Sequence, residues 1–436
     1  MFDLQQTSAT SQEFFTTTAT TLARATKFVQ RESKLTGAGF AQTLVFGFLD
    51  EPAATLNDLA QTSAELGISI SPQGLDERLT PQAGEFLKQM FQQSLASFRN
   101  TVPLGLAFLA PFPAVQITDS TVVALPESLR DEYPGCGGDG PAAALKVQLV
   151  FDYLRGNLDL VEWQAGRTPD QNYTGYLAAG PAGALHLHDL GYFKLKALQQ
   201  TADSRYFFSR LLTSTALYDP QGTAVDLLDL VRTASPGAGE QEIQLGAAER
   251  IPCRLLYVPV PEAVVNERRR KARATAKRKG RMPSQRHLDL LAWSFYVTNV
   301  PATMLTIPQA LILASLRWQI ELIFKLWKSY GRLARVAGRR RERVLSELYA
   351  KMIGIVITQF LIAPQRLTMR GELSPVKALR VCQRRALAWA RSLGDLPQLA
   401  RVLDDVVTQM LRFGQKEKRQ KRITTCQQLL AAHSAA

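Results

Sequence analysis

The sequence predicts an α/β protein, a mixed sheet with a β-rich insertion, flanked by helical N- and C-terminal regions. Strand-like segments, alternating or short and apolar, fall between residues 114 and 212 and again between 242 and 298. Helix start signals gather before residue 100 and after residue 305. A proline-marked connection through Pro103, Pro111 and Pro113 separates the first helical region from the first strand.

Taken in order, residues 22–99 read as short helices. Thr55 caps a segment carrying Leu56, Leu59 and Leu66 that Gly67 ends, and Ser71-Pro72 and Thr80-Pro81 are two further starts. Two short helices around a Gly turn suit either a helix-turn-helix module or a plain bundle with solvated cations at Arg24, Lys27, Arg31 and Lys34. Residues 114–121 form a strand ending in an acid, Asp119. Gly135, Gly137 and Gly140 match G-x-G-x-x-G, but a strand-like segment follows where the dinucleotide fingerprint needs a helix. Residues 145–153 and 158–165 make a hairpin around Arg155-Gly156-Asn157. Residues 184–189 are a strand again ending in an acid, Asp189, then come a helix over 194–202 and a fifth strand over 206–212.

His186 and His188 share one face of that short strand, whereas Asp189 points to the other and no third ligand stands at metal spacing. Residues 213–291 change character, with β-like pieces at 242–245 and 253–260 before a basic run from Arg268 to Arg281. Such density is solvated and mobile when free and neutralises phosphate when a polyanion is near. Trp293 to Thr298 is a strand, and residues 332–343 are basic. Residues 345–400 are helical, and more cations close the chain at 416–422. The expected organisation is a helical DNA-binding region (1–105), a core in two parts (106–212 and 292–345), the basic insertion (213–291) between them, and a helical C-terminal region (346–436).

The chain has 52 Lys and Arg against 38 Asp and Glu, a net charge of +14, which points to a polyanionic partner. No segment reads as a membrane span or a signal-peptide core. Cys136, Cys253, Cys382 and Cys426 contain no C-x-x-C pair, so neither a zinc knuckle nor a disulfide framework is indicated, and the Asn172-Tyr173-Thr174 sequon is formal.

Residues 306–330 read as one long amphipathic helix. Thr306 and Gln309 fit a capping box, Pro308 suits the first turn, and Leu311, Leu313, Leu316, Ile320, Ile323 and Leu326 keep helical spacing. At about 100° per residue, Arg317, Glu321 and Lys328 fall in one row. Alone, such a row is an ordinary surface ion pair. With acids elsewhere it becomes a carboxylate for a metal ion with cations beside it for phosphate. Strand acid, hairpin, strand acid, insertion and helix acid is the order of a ribonuclease-H-like sheet, which brings Asp119, Asp189 and Glu321 to one edge. Phosphodiester transfer must activate a hydroxyl and stabilise a leaving oxygen, and hard cations held by three carboxylates do both.

These residues resemble the DDE transposases of the ribonuclease-H-like type, in the group called insertion sequence family four. The matching strings are Ile117-Thr118-Asp119-Ser120-Thr121, Asp189-Leu190-Gly191-Tyr192-Phe193, and Arg317-Trp318-Gln319-Ile320-Glu321 with Lys328. Ser33-Lys34-Leu35-Thr36 and residues 75–87 also look like the family's N-terminal region. The family's signature is Tyr, two residues, Arg, three, Glu, six, Lys; this chain keeps the last three and has Ala314 at the tyrosine position. The resemblance implies metal ligation by Asp119, Asp189 and Glu321, with magnesium as the ion and manganese as a substitute. It implies DNA or phosphate contacts at Arg317, Lys328 and Tyr192, joined by Arg268, Arg269, Arg270 and Lys271 of the basic run, and a flipped base stacked on Trp293.

The implied activity is cut-and-paste transposition: cleavage at inverted-repeat ends and strand transfer into target DNA by a homodimer in the bacterial cytoplasm, at the nucleoid, with no membrane partner. Two alternatives remain open at this point, a DNA-binding protein without catalysis derived from such an enzyme and a ribonuclease-H-like nuclease without strand transfer.

Overall fold

The structure is a computed structural model that describes residues 3–31, 34–233, 237–368, 371–417 and 427–428. Ser33, Cys426 and the closing cations Lys418, Arg419, Lys421 and Arg422 lie outside the described residues.

The polar N-terminus is helical. α1 (Leu4–Glu13) starts at Asp3 and passes through a π-turn (Phe14–Thr18) into α2 (Ala19–Ala25). Its serine and threonine hydroxyls are satisfied within the helix by donating back one turn, Thr7 to the Asp3 carbonyl at 2.6 Å and Ser8 to the Leu4 carbonyl at 2.7 Å. Phe14 and Phe15 anchor it in the core. α3 (Gly37–Asp50), α4 (Leu56–Glu65), α5 (Pro72–Glu77) and α6 (Pro81–Ser97) follow, and the last three start at the caps read from sequence, Thr55, Ser71 and Thr80. α3 and α6 are longer than the short helices expected.

β1 (Val115–Leu125) runs past the expected end, so Asp119 lies within the strand. β2 (Ala143–Asp152) and β3 (Asn157–Ala165) form the expected hairpin. Gly156 in its turn has φ +73° and packs so closely that a Cβ there stands 2.4 Å from the Ala363 methyl, so only glycine fits. β4 (Leu185–His188), α7 (Leu195–Ala202) and β5 (Tyr206–Arg210) complete the first run. The insertion holds β6 (Leu217–Tyr218), α8 (Leu227–Thr233), β7 (Gly239–Leu245), β8 (Ile251–Pro259), α9 (Glu262–Arg278) and α10 (Gln285–Leu290). It is therefore mixed rather than purely β-rich, and the basic run is mostly helix.

β9 (Trp293–Thr298) leads to α11 (Ile307–Leu316), capped as expected, with the Thr306 amide donating to Gln309 Oε1 at 2.9 Å. The long helix expected over 306–330 is broken. α11 stops before Arg317, α12 (Gln319–Lys325) starts afresh, and a π-turn (Leu326–Tyr330) ends it. A π-turn winds more residues per turn than an α-helix, so the single row expected for Arg317, Glu321 and Lys328 loses its basis. α13 (Arg341–Ile362), α14 (Pro375–Ser392) and α15 (Leu396–Phe413) close the chain. Residues 341–365 are long and apolar enough to cross a membrane, contrary to the sequence expectation; 89% of the apolar stretch is buried, as in a core helix.

The main sheet has nine strands in the order β3-β2-β1-β4-β5-β9-β8-β7-β6. β1, β4 and β5 pair in parallel, and β9, β8, β7 and β6 continue antiparallel from β5. The order of its first five strands is the ribonuclease-H-like arrangement expected from sequence.

The chain divides into two compact units. One contains residues 1–104, 120–168 and 320–423. Its core is helical and aromatic-rich: Phe46 packs on Trp389, whose indole N–H donates to Ser11 Oγ at 3.0 Å. The other contains residues 105–119, 169–319 and 424–436. Its core joins Phe193 and Leu198 to the inner faces of β5, β7, β8 and β9, through Phe207, Ile243, Leu245, Leu255, Phe295 and Val297.

Candidate active site

The site is built on β1 and β4 of the second unit. These strands pair in parallel with Thr118 opposite His188 as the last matched residues, so Asp119 and Asp189 follow at the same level on neighbouring strands. Neighbouring strands lie about 4.8 Å apart, which brings the two carboxylates close to one another. Asp189 leaves β4 extended (φ −83°, ψ 163°) and opens a 3-10 turn (Leu190–Tyr192).

Arg317, at the C-terminus of α11, carries that shared charge. Its Nη1 stands 3.5 Å from Asp119 Oδ2 and its Nε 3.7 Å from Asp189 Oδ1. Sequence spacing gave Arg317 a phosphate to hold; the structure shows it bound to the two acids. Gly191 sits beside another carboxylate: a Cβ on it lies 3.7 Å from Asp170 Oδ2 and 4.0 Å from Asp189 Oδ2. Sequence reading missed Asp170, which opens a short 3-10 turn (Asp170–Asn172) with no motif around it.

Glu321 is half-buried in the first turn of α12, and Lys328 is exposed in the π-turn, where its Nζ donates to the Val122 carbonyl at 3.4 Å. Both belong to the first unit. Among the described residues, no three His, Cys, Asp or Glu side chains gather as a metal-holding group.

Several expected DNA contacts turn out to be structural. The Tyr192 ring is 2% exposed and packs beside Tyr173 and Tyr176, which makes it core rather than a DNA-facing group. Trp293 is partly buried against the second unit's core, with Tyr257 edge-on at 6.1 Å, a poor platform for a base. Arg268 donates to the carbonyls of Trp293 at 3.0 Å and Leu291 at 3.3 Å and to Ser294 Oγ at 3.0 Å, and burial lowers its pKa. Arg269 donates to the Leu288 carbonyl at 3.1 Å. These two arginines fix α9 to the β9 region, because a guanidinium with several donors satisfies carbonyls that the chain leaves open. Arg270 and Lys271 remain exposed, Lys271 paired with Glu267 at 2.6 Å. The α9 surface also shows Arg273, Lys277 and Arg278.

Trp318, next to the arginine that bridges the acids, is presented to solvent, 59% exposed. Exposed tryptophans are uncommon, and this one lies opposite the buried Leu316 and Ile320. His186 and His188 are buried, and among the described residues no hydrogen-bond partner reaches any of their four ring nitrogens.

The family described as Transposase DDE domain matches residues 110–357. The chain is 29% identical to the transposase for insertion sequence element IS231D of Bacillus thuringiensis subsp. finitimus, over 92% of this chain and 90% of that one. It is 30% identical to the transposase for element IS231C of Bacillus thuringiensis subsp. berliner, over 92% and 90%. It is 28% identical to the transposase for element IS1151 of Clostridium perfringens, over 92% and 91%. A piggyBac transposase synaptic complex with hairpin DNA superposes with a TM-score of 0.47 at 11% identity, covering 95% of this chain and 86% of that chain.

Proposed function

This chain belongs to the Transposase DDE domain family, and we propose that it is a cut-and-paste DNA transposase of the insertion sequence family four type. The reading holds that it cleaves at inverted-repeat ends, joins the 3′-hydroxyls to target DNA, and pairs two ends as a homodimer at the bacterial nucleoid. The observation that carries it is the placement of Asp119 and Asp189 at one level on parallel neighbours, both facing a single guanidinium.

The two carboxylates fit a hard divalent cation, since both are oxygen donors, both are partly open to solvent and both already face one positive charge. Glu321 is the proposed third ligand. Magnesium, or manganese in its place, supplies Lewis-acid activation of the attacking hydroxyl and charge for the leaving oxygen. Arg317 keeps the carboxylates turned to one point and, with Lys328, offers positive charge to the phosphate. The exposed cations of α9, Arg270 and Lys271 with Arg273, Lys277 and Arg278, contact the DNA backbone, while Arg268 and Arg269 hold the helix that presents them.

The test incubates the purified chain with magnesium and DNA bearing its own element's ends. Nicks at the end junction and products joined to a second duplex are expected; nicks without joining point to a nuclease, and binding without nicks to an inactive derivative.

Trp318 gives a second check. As a platform for an unstacked base next to the site, it contributes about 1–3 kcal/mol. Trp318→Ala is expected to lower end cleavage by roughly 5- to 150-fold with an unchanged melting temperature, and Trp318→Phe to restore most of it. Full cleavage by Trp318→Ala rules the stacking role out.

A further inference from the structure

The first unit contains a loop that the active site does not use. Between Lys325 and Arg343 the chain places eight cations and one acid. Residues 331–340 of this stretch contain no helix or strand, yet their backbone is held at several points. Lys351 and Glu347, one turn apart on α13, form an ion pair at 2.7 Å whose side chains are 2% and 5% exposed. Lys351 Nζ also donates to the carbonyls of Arg332 at 3.2 Å and Arg335 at 2.6 Å, so its three protons are all used. The other Glu347 oxygen accepts the Ala337 amide at 3.1 Å. Ser128 Oγ donates to the Arg339 carbonyl at 2.6 Å, and Leu333 is buried.

A buried ion pair is costly to desolvate and by itself is weak evidence of stability. Here each partner spends its remaining hydrogen-bonding capacity on the loop backbone. Arg332 shows the consequence: it takes a left-handed φ of 45°, uncommon for a side-chain-bearing residue, with its carbonyl on Lys351. Because the backbone groups are bound inward, the arginine side chains go outward. Arg335, Arg339 and Arg340 are exposed. Arg340 reaches Asp76 at 3.4 Å, Arg341 pairs with Glu132 and Arg332 lies 3.9 Å from Glu51. Among the described residues, Arg335 and Arg339 have no acid partner.

We propose that the loop over residues 331–340 is a contact surface for the duplex DNA backbone, with Arg335 and Arg339 neutralising phosphates and the buried Lys351–Glu347 pair holding their backbone in place. The inference rests on the reading of this chain as a DNA-handling enzyme. Two arginines without acid partners on a pinned backbone meet phosphate without a further cost of ordering the loop, and planar guanidinium groups match its oxygens. The contact is independent of base sequence, since phosphate carries none.

The experiment measures binding of the full chain to end-bearing and unrelated duplexes across a salt series. Each phosphate contact contributes about 0.9 to the slope of log affinity against log salt. Arg335→Gln/Arg339→Gln is expected to reduce the slope by about two on both duplexes, with an unchanged melting temperature. Arg401→Gln, an exposed cation on α15, is expected to leave the slope as in the parent. An unchanged slope in the double variant, or an equal fall in the Arg401 control, overturns the loop assignment while the parent still binds. Failure of the parent to bind either duplex removes the premise and the inference together.

Discussion

Asp189→Ala is expected to abolish end cleavage while leaving DNA binding intact, and Asp119→Ala to do the same. The two carboxylates stand level on adjacent parallel strands and converge on one guanidinium, so each is half of a cation-holding pair. Losing several kcal/mol of charge stabilisation in the transition state slows the reaction on the order of 10³-fold or more. The double variant should be no slower than either single one, because residues that act as a unit lose their effect together. Binding survives because the exposed cations of α9 lie on another element. Nicking rates on pre-bound, end-bearing DNA check this, with filter binding alongside; a cleavage rate for Asp189→Ala within tenfold of the parent rejects the site.

A second large effect concerns stability in acid. His186 and His188 lie buried on β4, and none of their ring nitrogens has a hydrogen-bond partner among the described residues. Burial pushes the His188 imidazole down to about 4. Burial, then the charges of His188 and Arg205, lower His186 well below its ordinary value. Both rings are therefore neutral in the folded chain. When the folded value lies below the unfolded one, the unfolded chain takes up protons first as pH falls, so stability declines below about 6.5 and the decline levels off near the folded value. For His188 alone the loss reaches about 3 kcal/mol by pH 4, at roughly 1.4 kcal/mol per unit, and His186 adds to it. Urea midpoints at pH 7.5, 6.5 and 5 should fall in that order, and His188→Phe should flatten the dependence. A parent midpoint that does not move over this range would falsify the account.

What could be read before folding was whatever depends on near neighbours. Thr55, Ser71, Thr80 and Thr306 cap their helices because a side-chain oxygen three residues from an open amide acts locally. The strands of the core could be read because alternation is also local, and the acids at positions 119 and 189 came with them. The break after α11 could not: no glycine or proline stands between residues 309 and 330 to mark it. Nor could the fate of Trp293 and Tyr192, since what covers each ring comes from other elements.

By itself, then, the sequence determined the α/β class, the helix starts, the identity of the two strand acids and an excess of positive charge. Only the tertiary structure decided that Asp119 and Asp189 are level, that Arg317 binds them, and that Arg268 holds carbonyls while Arg335 and Arg339 face solvent. The physical reason is that strand register, burial and the partner of a long charged side chain are set by groups tens to hundreds of residues away, and a sequence window contains neither those groups nor their distances.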